Sequence, residues 1–203
     1  MKKKSPKPPA AEGKELIRTF VCIEIPDSIK QKMEDLENRL RRIDAQVSWV
    51  KPSNVHLTLK FLGGVAADMI EAVSAAVKRS ARATTTFELE VQGTGCFPSP
   101  RSPRVFWVGL GSLPEALVQL YTSLEQELAR LGFEREKRRF APHLTIGRLR
   151  TPRNGAELAQ KLIDIGFESE KFVAREVVVM RSQLKPTGSI YTPLSSSPLR
   201  KQT

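Results

Sequence analysis

The chain has 203 residues, 40% of them apolar and 27% charged, with a formal net charge of +11 at pH 7. That is enough apolar material to bury one compact core, with room for two lobes, and it excludes a largely disordered chain. No apolar run reaches membrane-spanning length and no apolar segment follows the basic N-terminus, so neither a membrane anchor nor a secretory signal is expected and a cytoplasmic protein follows.

Residues 1–15 hold five Lys against two Glu among Pro and Ala, and read as a flexible basic tail. Leu16 to Ile25 is apolar and β-branched, a buried strand ending at Pro26. Asp27 or Ser28 can cap a helix whose Ile29, Met33, Leu36, Leu40 and Ile43 recur at helical spacing. Val47 to Val50 is a short strand closed by Lys51-Pro52. Val55 to Leu62 alternates and is expected to stop at Gly63-Gly64. A helix follows from about Asp68 to Ala81, then a strand from Phe87 to Gly95. Cys96 to Arg104 is a loop with three prolines and two arginines. Val105 to Leu110 is a strand, Pro114 to Leu131 a helix ended by Gly132, and His143 to Leu149 a strand. Gly155 to Ile165 is a short helix. Phe172 to Leu184 reads as one long strand, and Gly188 to Leu194 as the return of a terminal hairpin. One domain over 16–194 is expected, with 195–203 a second flexible tail. Cys22 and Cys96 are too far apart for a metal pair or a disulfide framework and read as reduced, semi-buried thiols.

The string contains an internal repeat. Phe20-Val21-Cys22-Ile23, a helix and then His56-Leu57-Thr58-Leu59 is matched by Phe106-Trp107-Val108-Gly109-Leu110, a helix and then His143-Leu144-Thr145-Ile146. Two copies of a strand–helix–strand unit imply two lobes related by approximate two-fold symmetry, with the equivalent strands meeting across a shared groove.

His56 and His143 are the only histidines of the chain. In a strand, residues i and i+2 share a face, so His56 lies beside Thr58 and His143 beside Thr145, while Leu57, Leu59, Leu144 and Ile146 point into the core. A single strand histidine is most often structural. Thr is only 12 of 203 residues, so its recurrence two places after both histidines, inside a repeat, points instead to a paired site. Imidazole titrates near neutrality, so one ring can act as base while the other acts as acid. Hydroxyls can hold the oxygens of a tetrahedral anion, and in-line displacement at phosphorus needs this set. Two histidines without a cysteine or acidic cluster make a poor zinc site, so no metal and no cofactor is expected. Basic stretches at Arg101 to Arg104 and Arg135 to Arg139 could hold a polyanion, or be no more than solvated loops.

These segments resemble the two-histidine (2H) phosphoesterases. The similarity to their RNA 2′,3′-cyclic phosphodiesterase family, also known as 2′-5′ RNA ligases, extends over roughly residues 16–194. It includes Arg18 to Pro26, Trp49 to Gly63, Phe97-Pro98, Arg104 to Gly109, Phe140 to Arg148, and Arg181 to Pro186 with Gly188 and Tyr191. The resemblance implies an α+β fold of two pseudo-symmetric lobes, each an antiparallel sheet with flanking helices around a central cleft. It implies catalytic roles for His56, His143, Thr58 and Thr145, a phosphate contact for Arg148, and a place for Phe61 on the nucleotide side. The implied substrate is RNA with a 2′,3′-cyclic phosphate end; a monomer is the default expectation, and without a long apolar run no membrane partner is expected. Other readings are a 2′-5′ oligonucleotide or small cyclic-nucleotide phosphodiesterase, or a non-catalytic RNA-binding module. Position +5 of an ideal strand points away from position 0, so a bulge, a twist or the strand's end must bring Arg148 round to His143.

Overall fold

The computed structural model describes residues 15–186 and 188–202, so nearly all of the expected N-terminal tail lies outside the described residues. Strand β1, Leu16–Glu24, sends Val21 and Ile23 into the main core and Phe20 and Cys22 to the opposite face. Pro26, which has no N–H to give, ends it and stands at the start of helix α1, Asp27–Leu40. Ile29, Met33, Leu36 and Leu40 form the buried stripe of that helix. There follow β2 (Val47–Trp49), a 3₁₀ turn over Pro52–Asn54, β3 (His56–Ala66), α2 (Ile70–Ala83), β4 (Phe87–Phe97) and β5 (Val105–Leu110). The second half continues with α3 (Glu115–Ala129), β6 (Leu144–Leu149), α4 (Gly155–Ile165), β7 (Glu170–Ala174), β8 (Glu176–Lys185) and β9 (Gly188–Pro198).

The strands form two antiparallel sheets, β3-β1-β8-β9 and β2-β6-β5-β4-β7. The α+β, two-lobed architecture is therefore as expected. The lobes, however, do not follow the halves of the chain. β2 already lies in the second sheet; after α2 the chain joins that sheet again as β4, and after β7 it returns to the first as β8. The helices are exchanged too. α3, from the second half, pairs with α2 and reaches β3, while α1, from the first half, pairs with α4 and lies against Ile146 of β6. Neither half can bury its apolar faces without the other, and one continuous core results.

Three expectations are corrected. The first is the strand at 172–184, which is two strands in different sheets. Val177 to Met180 are all buried because both faces of β8 are covered, and an unbroken apolar run conceals the crossing at Arg175. The second is the strand at 55–62, which continues past Gly63-Gly64 to Ala66. Gly63 takes φ 75°, and the register against β1 shifts there rather than breaking. The third is the C-terminal tail. Ser195 to Pro198 continue β9, Leu199 is buried, and Arg200 exchanges main-chain hydrogen bonds with Thr84 and Thr86. Serines on an edge strand look like a linker in a sequence, but here they are paired with Val177 to Val179.

Candidate active site

The two His-x-Thr segments open strands that lie second from the rim (β6) and at the rim (β3) of their sheets, and β3 and β6 approach each other. Leu57 and Leu59 are buried on one side, Leu144 and Ile146 on the other, as alternation requires. Pairing with the neighbouring strand is equivalent in the two lobes. Leu57 lies opposite Ile23 and Thr58 opposite Cys22, then the register skips Leu59 so that Lys60 faces Val21 and Phe61 faces Phe20. Leu144 lies opposite Val108 and Thr145 opposite Trp107, then the register skips Ile146 so that Gly147 faces Phe106 and Arg148 faces Val105. Each strand thus carries a β-bulge one residue after its threonine. The bulge inverts the alternation, and position +5 is returned to the face of the histidine. Phe61 and Arg148 are both exposed; Phe61 lies between buried Lys60 and Leu62, and Arg148 between buried Gly147 and half-buried Leu149.

This register also corrects the alignment of the repeat. Cys22 is equivalent to Trp107 and Phe20 to Val105, one place off the match between Phe20 and Phe106. Similarity of Phe-containing strings misled; only pairing shows which residues stand opposite the threonines.

The imidazoles are held alike. His56 Nδ1 lies 2.7 Å from the carbonyl oxygen of Asn54, and His143 Nδ1 2.8 Å from that of Ala141. A carbonyl can only accept, so Nδ1 carries the hydrogen in both rings and Nε2 of the neutral form has a free lone pair. Aromatic rings fix the planes. Phe20 stacks on His56 at 4.6 Å with Tyr191 edge-on at 5.3 Å, while Phe97 meets His143 edge-on at 5.0 Å and Trp107 lies 6.4 Å away. Burial lowers both histidine pKa values below 6.5, opposed by the carbonyl bonds; the nearby Arg148 charge lowers His143 further. Thr58 and Thr145 are half-buried. The hydroxyls of Thr19, Thr84, Thr94 and Thr122 donate to main-chain carbonyls, whereas among the described residues those of Thr58 and Thr145 have no such partner.

Five of the six residues singled out in the sequence therefore fall on the two bulged strands and His143 immediately precedes β6. Phe61 is 61% exposed, which excludes core packing as its role, and its ring lies 6.1 Å from Phe20. Sequence reasoning did not single out Phe20, Tyr191, Phe97 and Trp107 as walls of the histidines, nor Asn54. The Asn54 amide donates to the Ser189 carbonyl at 2.7 Å, which ties the hairpin bearing Tyr191 to the turn that orients His56. Its place two residues before the histidine, matched by Ala141, was the available signal. Cys22 and Cys96 are buried, and burial together with Glu24 holds the Cys22 thiol far above its ordinary range, so neither is a nucleophile. Among the described residues no three His, Cys, Asp or Glu side chains cluster as metal ligands do.

Two exchanged lobes, each offering an imidazole and a free hydroxyl from a bulged strand, define a two-histidine phosphoesterase arrangement. The family model of LigT-like phosphoesterases matches the chain twice, over residues 23–107 and 108–191. An RNA 2′,3′-cyclic phosphodiesterase of Methanothermobacter thermautotrophicus is 36% identical over 177 residues, covering 87% of this chain and 95% of its own length. One from Thermotoga maritima is 35% identical, covering 86% and 91%. The structure of Escherichia coli LigT complexed with 3′-AMP superimposes with a TM-score of 0.74 at 27% identity, covering 91% of this chain and 99% of that one. The chain belongs to the LigT-like RNA 2′,3′-cyclic phosphodiesterase family of the two-histidine phosphoesterases.

Proposed function

We propose that this protein hydrolyses the 2′,3′-cyclic phosphate at the end of an RNA to a 2′-phosphate. The observation that carries the reading is the matched pair of imidazoles, each with Nδ1 committed to a carbonyl and Nε2 unpartnered, beside a hydroxyl with no partner. The cyclic phosphate lies between the rings. One Nε2 takes a proton from water as its oxygen bonds to phosphorus. The P–O3′ bond breaks in line, and the other imidazole, protonated, gives its proton to O3′. Thr58 and Thr145 donate to the non-bridging oxygens, and Arg148 adds a guanidinium whose fork suits them. Phe61 offers a face to the terminal base. The opening to a 2′-phosphate, rather than a 3′-phosphate, rests on family membership. With a 5′-hydroxyl in place of water as the nucleophile, the same steps (attack on the cyclic phosphorus, P–O3′ cleavage, a proton to O3′) would join two ends by a 2′-5′ link, with hydrolysis favoured in water.

Support from relatives is of two kinds. The curated relatives are RNA 2′,3′-cyclic phosphodiesterases, and the Escherichia coli structures hold 3′-AMP, ATP, NADP+ or phosphate. Product analysis on a short RNA ending in a cyclic phosphate tests the proposal. A 2′-phosphate end formed in the presence of EDTA is expected. A 3′-phosphate product, or activity lost to the chelator, would contradict it. Faster turnover of 2′-5′ oligonucleotides or of a small cyclic nucleotide would reassign the substrate within the superfamily.

A further inference from the structure

Lys60 is a buried cation directly behind the bulge of β3. Its side chain is 7% exposed, and its Nζ lies 2.7 Å from Oε1 of Glu125 on α3, itself 9% exposed, and 2.8 Å from the carbonyl oxygen of Glu134. The second carboxylate oxygen, Oε2, accepts the main-chain N–H of Glu136 at 3.0 Å. One buried ion pair thus grips residues 134–136 at two main-chain points. The second lobe has no counterpart, since the residue equivalent to Lys60 is Gly147. A general need of the bulge therefore does not explain it.

The gripped segment begins the stretch that runs from the tip of Lys60, on β3, to His143 at the head of β6. In sequence it joins the element gripped from behind β3 to the histidine that heads β6. Residues 134–139 are all exposed and include Arg135, Lys137, Arg138 and Arg139. Arg138 is paired with Glu136, and among the described residues Arg135, Lys137 and Arg139 have no acidic partner. Exposed loop cations are ordinarily mobile, and holding several in one geometry costs conformational entropy at the moment of binding. A clasp on the adjoining main chain removes part of that cost in advance.

We propose that Lys60 and Glu125 are positioning residues for RNA length. Through residues 134–136 they hold the Arg135–Arg139 loop as a phosphate track for nucleotides upstream of the cleaved end, and do not act on the cyclic phosphate itself. The inference rests on the proposed function. It assigns no chemistry to the pair and predicts a split between substrates that simple loss of fold would not give.

The test compares wild type, Glu125→Gln, Lys60→Met and the double variant Lys60→Met/Glu125→Leu on two substrates: a mononucleoside 2′,3′-cyclic phosphate and an RNA of about eight nucleotides with the same end. The double variant leaves no unpaired buried charge, so it guards against misfolding of the single ones. For the RNA, KM is expected to rise about 5–20-fold with kcat nearly unchanged. The dependence of log KM on log salt is expected to weaken by about 0.7 for each phosphate that the loop no longer holds. The mononucleotide parameters are expected to stay within about twofold. Lys137→Ala/Arg139→Ala is expected to reproduce the split. Equal losses on both substrates, or none on either, in the double variant would overturn the inference. Wild-type protein inactive on both substrates would overturn the proposed function itself, and this inference with it.

Discussion

His56 and His143 reach the same state by the same local device: a carbonyl two residues upstream takes the Nδ1 hydrogen and leaves the Nε2 lone pair free. Replacing either by Ala removes one proton transfer, and a loss of about 10²–10⁴ in kcat is expected for each. The pH dependence follows from the direction of the shifts. The proposed mechanism needs one ring neutral and one protonated, and both rings have pKa values below 6.5 in the free protein. The bell-shaped profile of kcat/KM is therefore expected to peak below pH 6.5. A bound phosphate anion favours the imidazolium, so the kcat profile is expected to peak at higher pH. A flat kcat/KM profile, or a maximum well above 7, would contradict paired imidazoles. The same shifts act on stability. Unfolded histidine takes its proton near pH 6.5 and the folded rings only lower, so stability held above pH 6.5 is lost as pH falls through that window. Urea midpoints at pH 7.5 and 5.5 measure it, and the lower pH is expected to give the lower midpoint.

At the scale of the element, the bulge is the feature on which the site depends. Without Leu59 and Ile146 as extra residues, Phe61 and Arg148 would face the core and Lys60 and Gly147 the groove. Glycines keep the sheets closed around these strands. A Cβ on Gly95 would lie 2.4 Å from the Trp107 ring, which stands next to His143. Gly95→Ala is expected to lower kcat by displacing that ring, with a smaller effect on thermal stability; unchanged kinetics would show that Trp107 does not hold the imidazole. A Cβ on Gly147 would lie 2.7 Å from Val47 Cγ1 and 3.0 Å from Trp49 Cε3, against β2, which pairs the outer side of β6. Gly147→Ala is expected to cost about 1–3 kcal/mol, the usual range for overpacking, read as a lowered denaturant midpoint. Strands and helices were legible from alternation and helical spacing because each buries one face. The two bulges were not, since a single skipped residue leaves no trace in composition; only the awkward place of Arg148 at +5 required one.

For the whole molecule, exchange of strands and helices between the halves has a measurable consequence. β4 and α1 of the first half complete the second sheet, and β8, β9 and α3 of the second half complete the first. A single cooperative unfolding transition is expected, and residues 1–107 expressed alone are expected not to fold. The terminal strand belongs to that unit. Truncation after Leu194 removes the pairing of Ser195 to Ser197 and the buried Leu199, whose burial alone contributes about 1.5–3 kcal/mol. A melting temperature lowered by several degrees is expected, and an unchanged one would mean that these residues add nothing to the core. The amino-acid sequence by itself determined the repeat, the two histidines, their threonines and two lobes of mixed strand and helix, because those follow from periods of 2 and 3.6 and from a motif that occurs twice. Only the tertiary structure decided which strands share a sheet, the true offset of the repeat, the reversal that brings Arg148 and Phe61 to the groove, and the clasp of Lys60 on Glu125. Each of these depends on pairing between residues far apart in the chain, and pairing is set by the collective burial of both halves rather than by any local pattern.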